Sequence, residues 1–236
     1  MKYIILTAGK GTRLHPLTKI QPKCLFKLDE KITVIERIIN QIKKYDLNAE
    51  ITVVVGFMKE KIKETLKDCN VKFAENPFYE VTNSIASLWF VKEEISEDTI
   101  ILNSDIVISE ELAKAIFGKK IDLTKILLDS SIKISGDYNV QVNNEKVVVM
   151  SKNLEEYFGE YVGITLLKKE NTLLFKKEME SMIDNGFYDQ WYENVLVQLI
   201  FNKNFSLNYF DVNDYDWTEV DEVNDLIKAK KIQEKG

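Results

Sequence analysis

Along the first half of the chain, short apolar blocks alternate with segments whose apolar residues recur at helical spacing. Residues 3–6 and 51–55 are unbroken runs, the second rich in β-branched side chains, and read as buried strands. Val34, Ile35, Ile38, Ile39 and Ile42 fall on one face of a helix. Residues 58–67 keep the helical period with Ile62 and Leu66 inward, 71–74 form a short strand, and 84–91 a helix beyond the loop at Pro77. A buried strand at 100–102 runs into Asn103-Ser104-Asp105, and a helix over 109–117 stops near Gly118. This alternation predicts an α/β fold, a mostly parallel mixed sheet flanked by helices on both faces.

The second half has a different rhythm. Strands are expected at 126–128, 138–142, 146–150, 161–167 and 207–210, and helices at 172–183, 193–201 and 223–231. Asn143-Asn144 between two of these strands is a hairpin signal, so a small β-rich insertion is expected here. No Gly/Ser/Pro linker, repeat or low-complexity stretch interrupts the chain, and one domain over 1–236 is expected.

Composition narrows the function. The chain has 236 residues, 45% of them hydrophobic, and a net charge of −6. That charge argues against a general nucleic-acid surface, whose footprint is basic. No apolar run reaches the roughly 18 residues that span a bilayer. The first apolar run leads straight into a glycine motif and is too short for a signal peptide, so a cytoplasmic location without membrane attachment is expected. Cys24 and Cys69 lack metal-ligand spacing, and no disulfide between them is expected in a reducing compartment. Only Arg13 and Arg37 are arginine among 32 basic residues. Either chance placed arginine at 13, or a planar fork is needed there for bidentate phosphate contacts that lysine cannot make.

The neighbours of Arg13 bear on that choice. Residues 6–25 read LTAGKGTRLHPLTKIQPKCL and follow the first strand, at the sheet edge where open α/β folds bind ligands. Gly9 and Gly11 let backbone approach a phosphate, successive N–H groups can form an anion-binding concavity, Thr12 adds a hydroxyl, and Arg13 and Lys23 add cations. The stretch is neither a P-loop nor a dinucleotide fingerprint: Gly11 follows Gly9-Lys10, and Leu14 stands where the fingerprint needs its third glycine.

These residues resemble the signature of the nucleotidyltransferase family, roughly L-[AT]-A-G-x-G-[ST]-R-x-x-P-L-T-x-x-x-P-K, with Leu6, Thr7, Ala8, Gly9, Gly11, Thr12, Arg13, Pro16, Leu17, Thr18, Pro22 and Lys23 all in place. The resemblance implies a Rossmann-like fold of the nucleotide-diphospho-sugar transferase kind, with 1–118 as the nucleotide-binding half and 119–236 as the acceptor-binding half. It implies that residues 6–11 hold the base and ribose side of an NTP, and that Arg13 and Lys23 neutralise the triphosphate. Nucleotidyl transfer needs a divalent cation, and magnesium is held by one or two carboxylates plus phosphate oxygens. Asp105 ends a strand at the same edge. Such an Asp often caps a helix, but Ser109 is placed to cap the next one. Asp221, with Glu219 two residues away as an expected substrate-binding residue, lies in a segment resembling the family's W-x-[ED]-[IV]-D-x-x-x-D-L. Asp105 and Asp221 are the expected Mg2+ ligands; Glu222 and Asp225 read as acids favouring the dipole of the last helix.

Residues 76–89 resemble the small bacterial cytidylyltransferases of phosphocholine, 2-aminoethylphosphonate and phosphoglutamine type. The resemblance implies that Asn83, Ser84 and Ser87 face the nucleotide; Asn83 reads equally as a helix cap. Lys152 and Glu160 resemble the family's K…G-E-[YF]-x-G-[IV] segment, which implies Lys152 at the acceptor phosphate and Glu160 in the substrate pocket. His15 stands at a variable loop position and receives no role. An aromatic acceptor pocket is expected from Tyr188, Trp191, Tyr192 and Trp217, since ring faces attract ammonium groups, with Glu160, Asp189 and Asp214 as nearby acids. The same aromatics, and Trp89, can equally be core. The expected function is transfer of CMP from CTP to a small phosphorylated amine or amino-acid acceptor, with pyrophosphate released, in capsule or surface-glycan modification. The partners are then small molecules only, and the sequence leaves the oligomeric state open. A sugar-1-phosphate nucleotidyltransferase using UTP, dTTP or GTP, and a non-catalytic nucleotide sensor, are the alternatives.

Overall fold

The computed structural model of the chain describes residues 1–132 and 138–235. Strands β1 (Lys2–Thr7), β2 (Glu50–Val55), β3 (Lys72–Glu75) and β4 (Thr99–Asn103) are mutually parallel, in the spatial order β4-β1-β2-β3. The unbroken apolar run of β1 is explained by burial on both sides. Tyr3 and Ile5 enter one core cluster, and Ile4 and Leu6 enter another across the sheet.

Helices α1 (Val34–Tyr45), α2 (Lys59–Thr65) and α4 cover the first face, where α3 (Ser84–Trp89) precedes α4 (Glu110–Ile116) in the chain. α1 starts at a capping box in which Thr33 and Glu36 satisfy each other's backbone N–H groups. The opposite face is covered by α3, α5 (Lys169–Asp184) and α6 (Glu193–Lys203), through Ile85, Leu88, Phe175, Met179 and Leu196. The chain closes with α7 (Val223–Lys235). No described helix is long and apolar enough to cross a membrane.

Between these helices run β5 (Ile106–Ile108), β6 (Lys125–Asp129), β7 (Asn139–Asn143), β8 (Lys146–Ser151), β9 (Gly159–Leu167), β10 (Asn208–Asp211) and β11 (Trp217–Glu219). The sheet order is β10-β6-β9-β4-β1-β2-β3, with β9 antiparallel to both neighbours. The fold is therefore the expected mixed, mostly parallel α/β sheet. The expected β-rich insertion is the β7–β8 hairpin, which attaches to β9. Its turn falls one residue later than the Asn143-Asn144 signal. Asn144 and Glu145 carry the positive φ values, 47° and 59°, the left-handed backbone at both central positions that tight hairpins require. The pairing of β5 with β11 was not expected: each is only three residues long, too short to show a period.

Candidate active site

The carboxyl ends of β1 and β4 carry the glycine loop and Asp105. Gly11 sits at φ +61°, and the Thr18 hydroxyl donates to its carbonyl at 2.8 Å. Short 3-10 turns at Thr12–Leu14, Leu17–Lys19 and Lys23–Leu25 follow, anchored by buried Leu14 and Leu25. The backbone N–H of Ser104 donates to the Leu6 carbonyl at 3.2 Å, tying the two strand ends together. Cys24 lies beneath, its Sγ 3.1 Å from the Thr7 hydroxyl. Burial pushes its thiol up to about 12, against the Thr7 contact, so it is a neutral wall atom near neutral pH, not a nucleophile.

Asp105 occupies the turn between β4 and β5 and is 4% exposed. The Val220 N–H donates to its carbonyl at 2.9 Å. Together with the β5–β11 ladder, which sets Glu219 opposite Ile106, this carries Asp221 to the same place. Ser109 does cap α4, accepting from the Leu112 N–H. Asp225 accepts from the N–H groups of Asp221 and Glu222 at 3.1 and 2.7 Å, the helix-end role expected of it. The Lys23 ammonium pairs with Asp105 and, at 2.9 Å, with Asp221 Oδ1. Arg13 Nη2 lies 2.6 Å from Asp221 Oδ2. Burial opposes the charge on Lys23, but Asp105, Asp221 and Glu219 outweigh it and hold the ammonium above its ordinary value. Burial pushes the Asp221 carboxyl upward, and Asp105 adds to this against Lys23 and Arg13.

One oxygen from each of Asp105, Glu219 and Asp221 lies within 4.8 Å of the others. Asp105 Oδ1 is buried and has no hydrogen-bond partner among the described residues. Hard oxygen donors and an orphaned carboxylate oxygen fit a divalent cation such as magnesium.

A cavity of about 250 Å³ opens beside this cluster. Of the residues expected at the nucleotide, Leu6, Thr7, Ala8, Gly9, Asn83, Ser84 and Ser87 line it, as do Arg13 and Lys23. Gly11 and Thr12 do not; Gly11 serves the loop's backbone. Asn83 lines the cavity and also caps α3, its side chain accepting from the Ser84 N–H. Ser84 Oγ accepts from the Tyr192 N–H at 2.9 Å, and Ser87 Oγ accepts from Asn76 Nδ2 at 3.0 Å. Asn76, which opens the 76–89 segment, is 1% exposed and braces the loop leading into α3. Gly163 on β9 also lines the cavity at φ +78°, and a Cβ there would stand 2.5 Å from Ile106 Cδ1.

The far end corrects several expectations. Trp191 lines the cavity. Tyr192 does not: it is wholly buried, its hydroxyl bonded to Tyr161 and Thr165. Trp217 is buried and donates to Asp129 Oδ2 at 2.7 Å, so the non-local partner from β6 makes it core. Tyr188 is half exposed and stands outside the lining. Trp89 packs against the core with Lys92 over its ring. Asp189 is exposed beside Gln190, and Asp214 lines a separate groove near Glu110. Glu160, on β9 opposite Asp129 and Asn139, is not part of the lining, whereas Glu219 is. Lys152 lies over the Trp191 ring, its ammonium 3.6 Å from the centroid.

The residues that complete this end are Tyr138, Tyr161 and Glu193. Glu193 begins α6 and reads in sequence as one more acid at a helix start; only its tertiary packing reveals it. Burial pushes its carboxyl up to about 8, against its own backbone N–H and Lys152.

A family described as nucleotidyl transferase matches residues 2–127. The chain is 25% identical to the CTP:phosphoglutamine cytidylyltransferase of Campylobacter jejuni, over 96% of this chain and 98% of that protein. It is 38% identical to the choline-phosphate cytidylyltransferase of Streptococcus pneumoniae, over 43% of each. The solved structure of the CTP:phosphocholine cytidylyltransferase from Streptococcus pneumoniae superposes with a TM-score of 0.82 at 23% identity, over 98% of both chains. At that identity the likeness speaks for the fold alone.

Proposed function

The chain belongs to the nucleotidyl transferase family, and on that premise we propose that it is a magnesium-dependent cytidylyltransferase. It transfers CMP from CTP to a small phosphorylated amine or amino-acid acceptor and releases pyrophosphate, for capsule or surface-glycan modification. The observation that carries the chemistry is the junction at the sheet edge: Arg13, Lys23 and Asp105 line one cavity, and Asp221 is tied to Arg13 and Lys23 by ion pairs. Choice of CTP and of the acceptor class is supported by the 76–89 segment and by the named relatives.

In this reading an acceptor phosphate or phosphonate oxygen attacks the α-phosphorus in line, and the bond to pyrophosphate breaks. The attacking oxygen is already ionised near neutral pH, so no protein base is needed. Asp105 and Asp221, with Glu219, would hold magnesium, which when bound neutralises charge on the phosphates. The glycine loop orients the nucleotide through backbone N–H groups. Arg13 and Lys23 stabilise the charge that grows on pyrophosphate as it leaves. Asn83, Ser84 and Ser87 line the wall where the nucleotide is placed, and the buried Asn76 amide keeps that wall rigid.

A screen of pyrophosphate release across CTP, UTP, GTP, ATP and dTTP with a panel of acceptors tests the nucleotide choice. CTP is expected to give a kcat/KM at least about tenfold above the others, as a site that hydrogen-bonds one base edge leaves its groups unpaired with another. Comparable or better rates with UTP or dTTP would reject the assignment and favour a sugar-phosphate enzyme.

A further inference from the structure

The start of α3 and the segment leading into α6 are joined by a seam of hydrogen bonds. The N–H of Asn83 donates to the Tyr188 carbonyl at 3.0 Å, and the N–H of Ile85 donates to the Gln190 carbonyl at 3.2 Å. The next bond runs the other way: the N–H of Tyr192 donates to Ser84 Oγ at 2.9 Å. The seam separates two parts of the cavity wall. Asn83, Ser84 and Ser87 belong to the α3 side. Trp191 and Glu193, the chain neighbours of Tyr192, belong to the other.

The first two bonds satisfy N–H groups that a helix start leaves open. Backbone alone makes them, so they do not depend on which side chains stand there. The N–H groups of Ala86 and Ser87 are taken by the Asn83 carbonyl within α3, so the backbone pairing ends at Ile85. The remaining bond needs a side-chain acceptor, and Ser84 supplies it. Tyr192 is wholly buried, and its hydroxyl is bonded to Tyr161 and Thr165 on β9. Its ring end is thus fixed to β9 and its backbone end to Ser84. Without Ser84 Oγ the Tyr192 N–H becomes a buried donor lacking this partner, a state the chain relieves by shifting until another acceptor or water reaches it. Trp191 and Glu193 are carried along by such a shift.

Resting on the cytidylyl-transfer reading, we propose that Ser84 is a positioning residue for the acceptor end of the cavity. Its hydroxyl holds the Tyr192 backbone and so sets where Trp191 and Glu193 stand. The family resemblance gives Ser84 to the nucleotide; the seam gives it a second task at the acceptor.

The test compares the parent with Ser84→Ala and Ser84→Thr. Calorimetry measures binding of phosphocholine, of a phosphorylated glutamine and of CTP with magnesium, and pyrophosphate release gives kcat and KM. Amide hydrogen exchange followed by NMR reports the Tyr192 N–H itself. Ser84→Ala should speed that exchange at least about tenfold and weaken the better-bound acceptor about tenfold, the scale of a buried donor left unpaired. The loss should appear in acceptor KM more than in kcat, and acceptor binding should suffer several-fold more than CTP binding. Ser84→Thr keeps the Oγ and should recover both the slow exchange and the acceptor affinity. Equal acceptor binding by the parent and Ser84→Ala overturns the proposal, as does a loss confined to CTP. So does weakened acceptor binding with Tyr192 exchange unchanged, or no binding of either acceptor by the parent. If binding follows the expected pattern but CTP is not consumed, the cytidylyl-transfer reading fails while the tether stands. If CTP is consumed and the acceptor KM ignores Ser84→Ala, the tether fails alone.

Discussion

Asp105→Asn should lower turnover with magnesium on the order of 10²-fold or more while the protein stays folded, and Asp221→Asn should do the same. Asparagine keeps the shape of the side chain and removes the anionic charge. At Asp105 the change is clean, because Oδ1 is buried with no hydrogen-bond partner among the described residues and Oδ2 faces Lys23. A role confined to ion pairing would make the two substitutions unequal, since Asp221 meets Arg13 as well as Lys23. Comparable losses from both are expected if they hold the same cation. Thermal unfolding of each variant separates a lost ligand from a lost fold. Near-normal turnover of either variant would remove that residue from the metal site.

Arg13→Lys should cut kcat on the order of 10²-fold and change the acceptor KM little, since the fork serves charge that develops on the leaving pyrophosphate. The substitution preserves the charge, so a purely electrostatic role would leave kcat almost intact. What lysine loses is the planar pair of N–H donors. Arg13 is half exposed beside the cavity while Lys23 is only 19% exposed and held by the aspartates, so a lysine at 13 would act as a second point charge without the geometry. An Arg13→Lys enzyme with unaltered kcat would end the bidentate account. A raised nucleotide KM with unaltered kcat would assign Arg13 to ground-state binding instead.

The glycine loop and the strand-end aspartate were legible because their chemistry is local. Close backbone approach to a phosphate demands glycine at fixed spacing, and the loop must follow a strand to stand at the sheet edge. The sheet core was legible for a similar reason: a strand buried on both faces reads as an unbroken apolar run, as at Ile4 and Ile5. The acceptor end was less legible. Trp191, Tyr192 and Glu193 are consecutive, and the start of α6 between Tyr192 and Glu193 decides that Tyr192 is core while its neighbours line the cavity. Before a helix has completed a turn, no periodicity fixes which way a side chain points. Trp217 was misplaced because its partner, Asp129, comes from β6, far away in sequence. Glu193 was overlooked because an acid at a helix start has an ordinary explanation, and only packing shows that this one is buried against a cavity.

In the proposed reaction the chain joins a nucleotide α-phosphate to an acceptor phosphate or phosphonate and expels pyrophosphate. Phosphorus NMR of the chain incubated with CTP, magnesium and the phosphorylated amine and amino-acid acceptors tests this most directly. Pyrophosphate and a new nucleotide-linked P–O–P product are expected to rise in equal amounts. Orthophosphate with CDP, or pyrophosphate with CMP and no acceptor adduct, would contradict it.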